Sequence, residues 1–367
     1  MSIKINGLEA DLVKLNGSAL ASLKYNSTEV WPTQRRPRLS IFVFDLPAEN
    51  PTVDLWLTQS AAGAVTVITD DNTTLKSSQI KAEFPYTFTT GGRHVIGIEV
   101  ADGETWNPGV NDGSLHNFVG GVEENGVFPE DETLTLAHFG YGVRLSDDIP
   151  GAFRSCTALT EVRFEESDLS IIGQAAFDNC TALDTIRWGS SVREIHQSAF
   201  GFTAFTELHI PASVNLVELW AFGFCRSLIN LEVAASEIRA SAFSDCTALE
   251  KIWLRSTVET VAGHGTGLFD ALVQWTGCSP DATLYCEPAS KPSGWNSEYD
   301  AYARDAEAYL RYNAVWGQTV PPWDVSKQPL NYSWDGSVLD FYETAGGEFA
   351  AWDYDDTDRE LTLEDSE

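Results

Sequence analysis

Six cysteines, at positions 156, 180, 225, 246, 278 and 286, are the residues of this 367-residue chain best suited to chemistry. Thiols can pair as disulfides or hold a soft metal ion. Four of them stand three residues after a phenylalanine, behind Phe153, Phe177, Phe222 and Phe243. That constant offset predicts a column of buried free thiols, each a small apolar plug. The competing arrangement is a disulfide between neighbours such as Cys156 and Cys180, which a strand spacing of about 4.8 Å permits. No CxxC pair supports zinc. The six histidines (94, 116, 138, 196, 209, 264) show no ligand spacing. Gly263-His264-Gly265-Thr266-Gly267 has the glycines of a phosphate loop but no lysine, and reads as a turn. Asp353-Tyr354-Asp355-Asp356-Thr357-Asp358, with Glu364 twelfth in line, follows a calcium loop only in part, because Asp358 stands where that loop needs glycine. Trp295, Trp316 and Trp323 are candidates for a sugar platform or, more simply, for junction packing. No nucleophile–base constellation can be built from position. The expectation is a chain with no catalytic residues, no cofactor and no metal.

The element that positions the thiols is a repeat. Ala152-Phe153, Ala176-Phe177, Ala199-Phe200, Ala221-Phe222 and Ala242-Phe243 are separated by Phe-to-Phe steps of 24, 23, 22 and 21 residues. A period of this size predicts a solenoid, whose units bury their apolar faces only against one another. Nine and eleven residues after each Phe come Val162/Phe164, Ile186/Trp188, Leu231/Val233 and Ile252/Leu254. The third unit is one residue shorter, so Leu208 and Ile210 fall at eight and ten. Alternation at period two marks a strand with one buried face. The residue between each buried pair then faces out: Arg163, Arg187, His209, Glu232 and Trp253. Glu161, Thr185, Glu207, Asn230 and Lys251 precede them on the same face. Two arginines over a histidine predict a local basic stripe and a candidate partner surface.

The composition limits the partners. A net charge of −31 favours solubility and excludes nucleic-acid binding through phosphates. No run is long enough to insert in a membrane. Met1 to Asn6 turns polar at once, without the apolar core of a secretory signal, so synthesis in a cytoplasm without common export is expected. Residues 1–38 hold six bases (Lys4, Lys14, Lys24, Arg35, Arg36, Arg38) against three acids, whereas residues 333–367 hold twelve acids and one base. This asymmetry predicts different partners for the two ends.

Five segments follow, all in a mainly β, multi-domain chain. Residues 1–37 read as an N-terminal hairpin module with Asn-Gly turns at 6–7 and 16–17. Residues 38–104 read as an Ig-like β-sandwich, with strands at Leu39–Phe44, Val53–Leu57, Ala64–Ile68, Ile80–Phe84 and His94–Val100. Residues 105–132 form a connector, 133–317 the solenoid with its cap, and 318–367 a small acidic β unit. Ser297 to Tyr312 is Ala-rich and reads as one helix.

Three resemblances refine this reading. The unit Ala-Phe-x-x-Cys-x-x-Leu followed by a short strand resembles the BspA-like leucine-rich repeats. Thr283 to Pro288 and Lys291-Pro292-Ser293-Gly294-Trp295 with Val315-Trp316-Gly317 are similar to the strand and tail that close such arrays. Ala64 to Thr73, Tyr86-Thr87-Phe88 and Gly92 to Ile98 resemble a PKD domain, although Asp70-Asp71-Asn72, Tyr86-Thr87-Phe88 and His94 depart from its diagnostic residues. The N-terminal Lys14-Leu15-Asn16-Gly17 and Tyr25 to Trp31 resemble short repeats that open phage structural proteins. Together the resemblances imply a non-enzymatic bacteriophage virion protein of tail, baseplate or head surface. Lys14, Lys24, Trp31, Arg35, Arg36 and Arg38 would dock it to other virion proteins, and its repeats would meet a host protein or glycan. Homo-oligomerisation is expected of such a protein. The alternative is a bacterial cell-surface adhesin of the BspA-like class.

Overall fold

The computed structural model describes residues 39–261 except 126, 166, 240 and 241, then 282–290, 314–320 and 322. At the chain ends it describes the backbone of the strands between residues 3 and 31 and between 332 and 364. The chain forms two units, residues 1–36 with 323–367, and residues 37–322. Among the described residues all regular structure is strand. The helix expected at 297–312, Cys278 and the 263–267 turn lie outside them.

The first unit is built from both ends of the chain. One sheet has the order Tyr332–Trp334, Val338–Phe341, Ser22–Tyr25, Thr28–Trp31. A second has the order Ala351–Asp355, Glu360–Glu364, Leu12–Leu15, Ser18–Ala19. In each, an N-terminal strand lies parallel to a C-terminal one, with Lys24 opposite Asp340 and Lys14 opposite Thr362. Residues 1–37 and 318–367, read from sequence as separate pieces, therefore share their sheets. The basic end and the acidic end meet each other. Asp355 pairs antiparallel with Glu360, so Asp353, Tyr354, Asp355 and Glu364 of the calcium-like pattern stand on two strands, while its residues 356–359 lie outside the described residues.

In the second unit, two antiparallel sheets share a core. A three-stranded sheet runs Lys81–Thr87, Thr52–Gln59, Trp106–Pro108. In Thr52–Gln59 every second residue is buried, as one-sided packing demands. The facing sheet contains Val65–Thr69, Gly92–Val100 and Leu39–Leu46. The stretch after 104 is more than a connector. Trp106 and Phe118 are completely buried and pack on Phe42.

The facing sheet does not stop at the sandwich. Leu134–His138 lies antiparallel to Leu39–Leu46 on one side and parallel to Glu161–Arg163 on the other. Seven strands thus run without interruption into the solenoid as far as Thr185–Arg187. A register shift between Leu134 and Leu136 bends the joining strand. The Asp131 carboxylate fixes its start by accepting from the Thr133 and Leu134 amides at 3.1 and 2.8 Å. Gly140 makes the joint possible, because a Cβ there would sit 2.7 Å from the Leu39 carbonyl oxygen.

Each coil of the solenoid has three hydrogen-bonded walls. The second wall is a parallel sheet of Ile171–Ile172, Glu194–Ile195, Leu216–Val217, Glu237–Ile238 and Thr260–Val261. The third is made of the Ala-Phe turns, where the amides of Phe153, Phe177, Phe200 and Phe222 donate to the alanine carbonyl of the next coil at 2.7–2.8 Å. Inside, the five rings stack at 5.2–5.5 Å and within 9° of parallel. The five described thiols are free, and three of them tie coils together. Cys180, Cys225 and Cys246 donate to the carbonyls of Phe153, Phe200 and Phe222 in the preceding coil at 3.1–3.3 Å. Burial pushes the Cys156 and Cys180 thiols well above their ordinary range.

The first four turns bend through left-handed residues two positions before and after their Phe, and the fifth does so two positions after it. The second set is Ser155, Asn179, Phe202, Phe224 and Asp245, at φ 59–62°. Asn and Asp adopt this conformation readily, whereas a bulky side chain loses about 1–2 kcal/mol by it. The shorter third unit also leaves its mark. No ladder joins Thr185–Arg187 to Glu207–Ile210, and a separate sheet begins there, continuing through Asn230–Val233, Lys251–Leu254, Thr283–Cys286 and Ala314–Trp316. The tail resembling repeat-array ends thus forms the last strands of this wall.

Candidate binding surface

The outward ladder on the first wall is the surface that the repeat presents most directly. Parallel, in-register pairing aligns Arg163 with Arg187, and His209 with Glu232 and Trp253. The spacing makes these contacts inevitable, since every outward side chain has neighbours one coil away.

The arginines do not form a free basic stripe. Glu161, on the same strand face, lies between them. Its carboxylate accepts from Arg163 Nη2 at 2.9 Å and from Arg187 Nε. Both arginine side chains are mostly buried, at 13% and 11% exposed. Burial disfavours the Glu161 carboxylate, but the two guanidiniums outweigh it and hold its pKa below the usual range. The pairs cover what the sequence reading left open to a partner.

Beyond the sheet break the pattern continues with His209. Its Nδ1 lies 2.7 Å from Glu232 and its Nε2 lies 2.8 Å from Glu207. Burial disfavours the imidazolium, yet the two carboxylates raise the pKa to about 9, so His209 is a cation at neutral pH. Glu232 also accepts from Arg255 Nη1 at 2.6 Å, and Arg255 Nε reaches Glu287 at 3.2 Å. The acids Glu161, Glu207, Glu232 and Glu287 therefore alternate with Arg163, Arg187, His209 and Arg255, and the ladder is balanced. Arg255 and Glu287 lie one step past the strand pattern that the sequence reading used, which is why it missed them.

Trp253 is not an open platform. It is 2% exposed, because Arg255 lies over its ring at 4.3 Å and its Nε1 donates to the Gln318 carbonyl at 3.0 Å. The tail after Ala314–Trp316 closes over this end of the ladder. Trp316 packs against the core, while Trp295 and Trp323 lie outside the described residues. Of the other expected site residues, Lys14, Lys24 and Trp31 sit on strands Leu12–Leu15, Ser22–Tyr25 and Thr28–Trp31 of the first unit. Arg35, Arg36 and Arg38 lie outside the described residues.

A second charged row lines the short-strand wall. The His196 ring nitrogens lie 2.7 Å from Asp147 and 3.0 Å from Glu194. Arg239 reaches Glu218 at 3.1 Å and Glu237 at 3.0 Å. Asp147 and Glu218 also accept the Gln174 and Gln197 amides, so these acids cap the following turns. Among the described residues no cluster has the composition of a metal site. The two rows offer ionic and hydrogen-bonding contacts along an extended surface.

Comparison with known proteins agrees with the solenoid. Residues 150–267 match the BspA type leucine rich repeat region in six copies. No curated protein matches the sequence. A leucine-rich repeat protein from Bacteroides ovatus is 20% identical, with a TM-score of 0.26, over 48% of this chain and 54% of its own. The chain thus spans about half of that relative. A leucine rich cell surface protein from Faecalibacterium prausnitzii is 15% identical, with a TM-score of 0.22, over 51% of this chain and 77% of its own.

Proposed function

We propose that this chain is a non-enzymatic binding protein displayed on a bacterial surface, an adhesin of the BspA-like class. The observation that carries the reading is the six-copy BspA type repeat region over residues 150–267. A solenoid of this kind offers a long, rigid face to a macromolecular partner. Here the sandwich, which we read as a PKD-like spacer, extends that face through the shared seven-stranded sheet. The balanced ladder suits a partner that reads position and hydrogen-bonding geometry more than net charge. The virion reading draws no support from the repeat family. The basic N-terminal strands that were to dock the particle are paired with the acidic C-terminal ones.

Antibody raised against residues 133–317 tests the proposal on intact, unpermeabilised producer cells. Surface labelling is the expected result. Labelling confined to phage particles in a lysate would replace this reading with the virion one, and labelling that appears only after the cells are permeabilised, with none on particles, would refute both.

A further inference from the structure

The two outer faces of the sandwich differ. On the three-stranded sheet the outward side is polar: Lys81 and Asn107 stand on either side of Thr58, and Glu83 stands beside Trp56, whose ring the His116 ring covers at 4.0 Å. Such alternation is what a sheet with one solvated face requires. The seven-stranded sheet departs from it. Its inward side chains Phe42, Phe44, Ile96 and Ile98 are at most 1% exposed. Its outward side is apolar as well, since Leu39, Ile41 and Val43 succeed one another on Leu39–Leu46 until Asp45. Packing of the core accounts for the inner face and leaves the outer one unexplained.

Register gathers the outward apolar residues into one patch. Gly97 stands between Ile68 and Ile41, and Val43 between Val95 and Leu136. A Cβ on Gly97 would come within 2.9 Å of Leu39 Cδ1, so glycine leaves room for Leu39 to lie across that row. Val95 is 38% exposed, and Leu39, Ile41, Ile68 and Leu136 are half-buried. The patch runs into the first ladder, where His138 joins Ile41 to Arg163 and Leu136 joins Val43 to Glu161. A contiguous exposed apolar patch of this kind marks an interaction site.

Charge and size select the occupant. A net charge of −31 sets most of the surface against a second copy. The outward face of the seven-stranded sheet is neutral, because Arg93, Arg163 and Arg187 balance Asp45, Glu99 and Glu161. Arg93 stands opposite Asp45, and Glu161 bridges the other two arginines. A strongly charged partner gains nothing from such a face, whereas a copy meets it without repulsion. The face spans about 29 Å across its seven strands and about 20 Å along Leu39–Leu46, roughly 500 Å² in plan. Side-chain relief adds to this, which brings it to the order of the about 800 Å² that each partner of a standard interface buries. We propose that two copies dock through this face about a two-fold axis, apolar patch against apolar patch, with the sheets about 10 Å apart. The proposal goes beyond the adhesin reading and does not depend on it. The dimer takes the seven-stranded sheet and leaves the next one, from Glu207–Ile210 onward, to an outside partner on each copy.

Sedimentation equilibrium of the purified full chain, from about 1 µM to about 100 µM, measures the association. A dimer is expected. It should tighten between about 0.05 M and about 0.5 M salt, because salt screens the repulsion of two acidic bodies and leaves apolar contact intact. Val95→Lys and Ile68→Lys each place a charge on both sides of the axis and weaken the dimer by about tenfold or more. Val127→Lys, the same kind of change at a position 65% exposed on another part of the surface, leaves it unchanged. Circular dichroism and the urea midpoint show whether the variants are folded. Should Ile68→Lys fail to fold, Val95→Lys at its more exposed position decides alone. The proposal is overturned by a native chain that stays monomeric throughout, by a dimer that a folded lysine variant at 68 or 95 keeps at native strength, by one that Val127→Lys weakens equally, or by one that salt dissolves.

Discussion

Raising the pH from 6 to 8.5 should weaken the solenoid through His209, and His209→Gln should remove that dependence. The imidazole lies between Glu207 and Glu232 at 2.8 and 2.7 Å, which lifts its pKa from 6.5 to about 9. A group whose pKa is raised by folding stabilises the native state fully below its unfolded pKa. That stabilisation is lost as the pH climbs through the folded value. The window here opens near 6.5 and closes near 9. An unscreened shift of that size corresponds to about 3 kcal/mol. The side chain is 44% exposed, so solvent and salt reduce the contribution to about 1 kcal/mol. Urea unfolding of the native chain and of His209→Gln, at intervals between pH 6 and 8.5 in low salt, measures it. The native chain should lose about 1 kcal/mol more than the variant across the window, and less in 1 M salt. The comparison stops at 8.5 because the buried thiols act above that pH in both proteins. Equal pH dependence in the two proteins, or an imidazole that titrates at or below 6.5 by NMR, would refute the reasoning.

Other perturbations test other parts of the structure. Phe200→Ala opens a hole between Phe177 and Phe222 in the ring stack and should cost about 3–5 kcal/mol in urea unfolding. Glu161→Gln strands Arg163 and Arg187 together in a mostly buried place, with an expected loss of about 3 kcal/mol by the same assay. Cys156, Cys180, Cys225, Cys246 and Cys286 are buried and free, so a thiol reagent should modify them only after denaturation. The contribution of Cys156, Cys180 and Cys286 to stability should fall above about pH 8.5, where the unfolded chain ionises its thiols while these burial-raised thiols, Cys286 at about 12 among them, stay protonated.

Much of the solenoid could be read from the chain because its period is local. The Phe offset located the thiol column, the alternation separated inward from outward residues, and the one-residue deletion in the third unit matches the break between Thr185–Arg187 and Glu207–Ile210. What escaped the reading depends on contacts distant in sequence. Lys24 facing Asp340 and Leu39–Leu46 facing Leu134–His138 join segments that carry no shared period. Trp253 obeys the outward alternation, yet residues 65 positions later cover it. The sequence places Glu161 and Glu207 on the same face as the basic residues, but it does not show that their carboxylates bridge Arg163 to Arg187 and hold His209, which takes the pairing of side chains across and along the strands.

The strand Leu134–His138 has a meaning for assembly as well as for shape. The first coil of any solenoid ends in a row of unpaired backbone groups, and a like edge from another molecule could extend it. Here that row is taken up by a strand whose other side is paired antiparallel to the sandwich, a direction that no parallel coil can continue. The sandwich is therefore a stopper against end-to-end polymerisation. A recombinant fragment begun at residue 150 would lack the stopper. It should form chains or aggregates at concentrations where the full protein stays dispersed, an outcome that sedimentation would reveal.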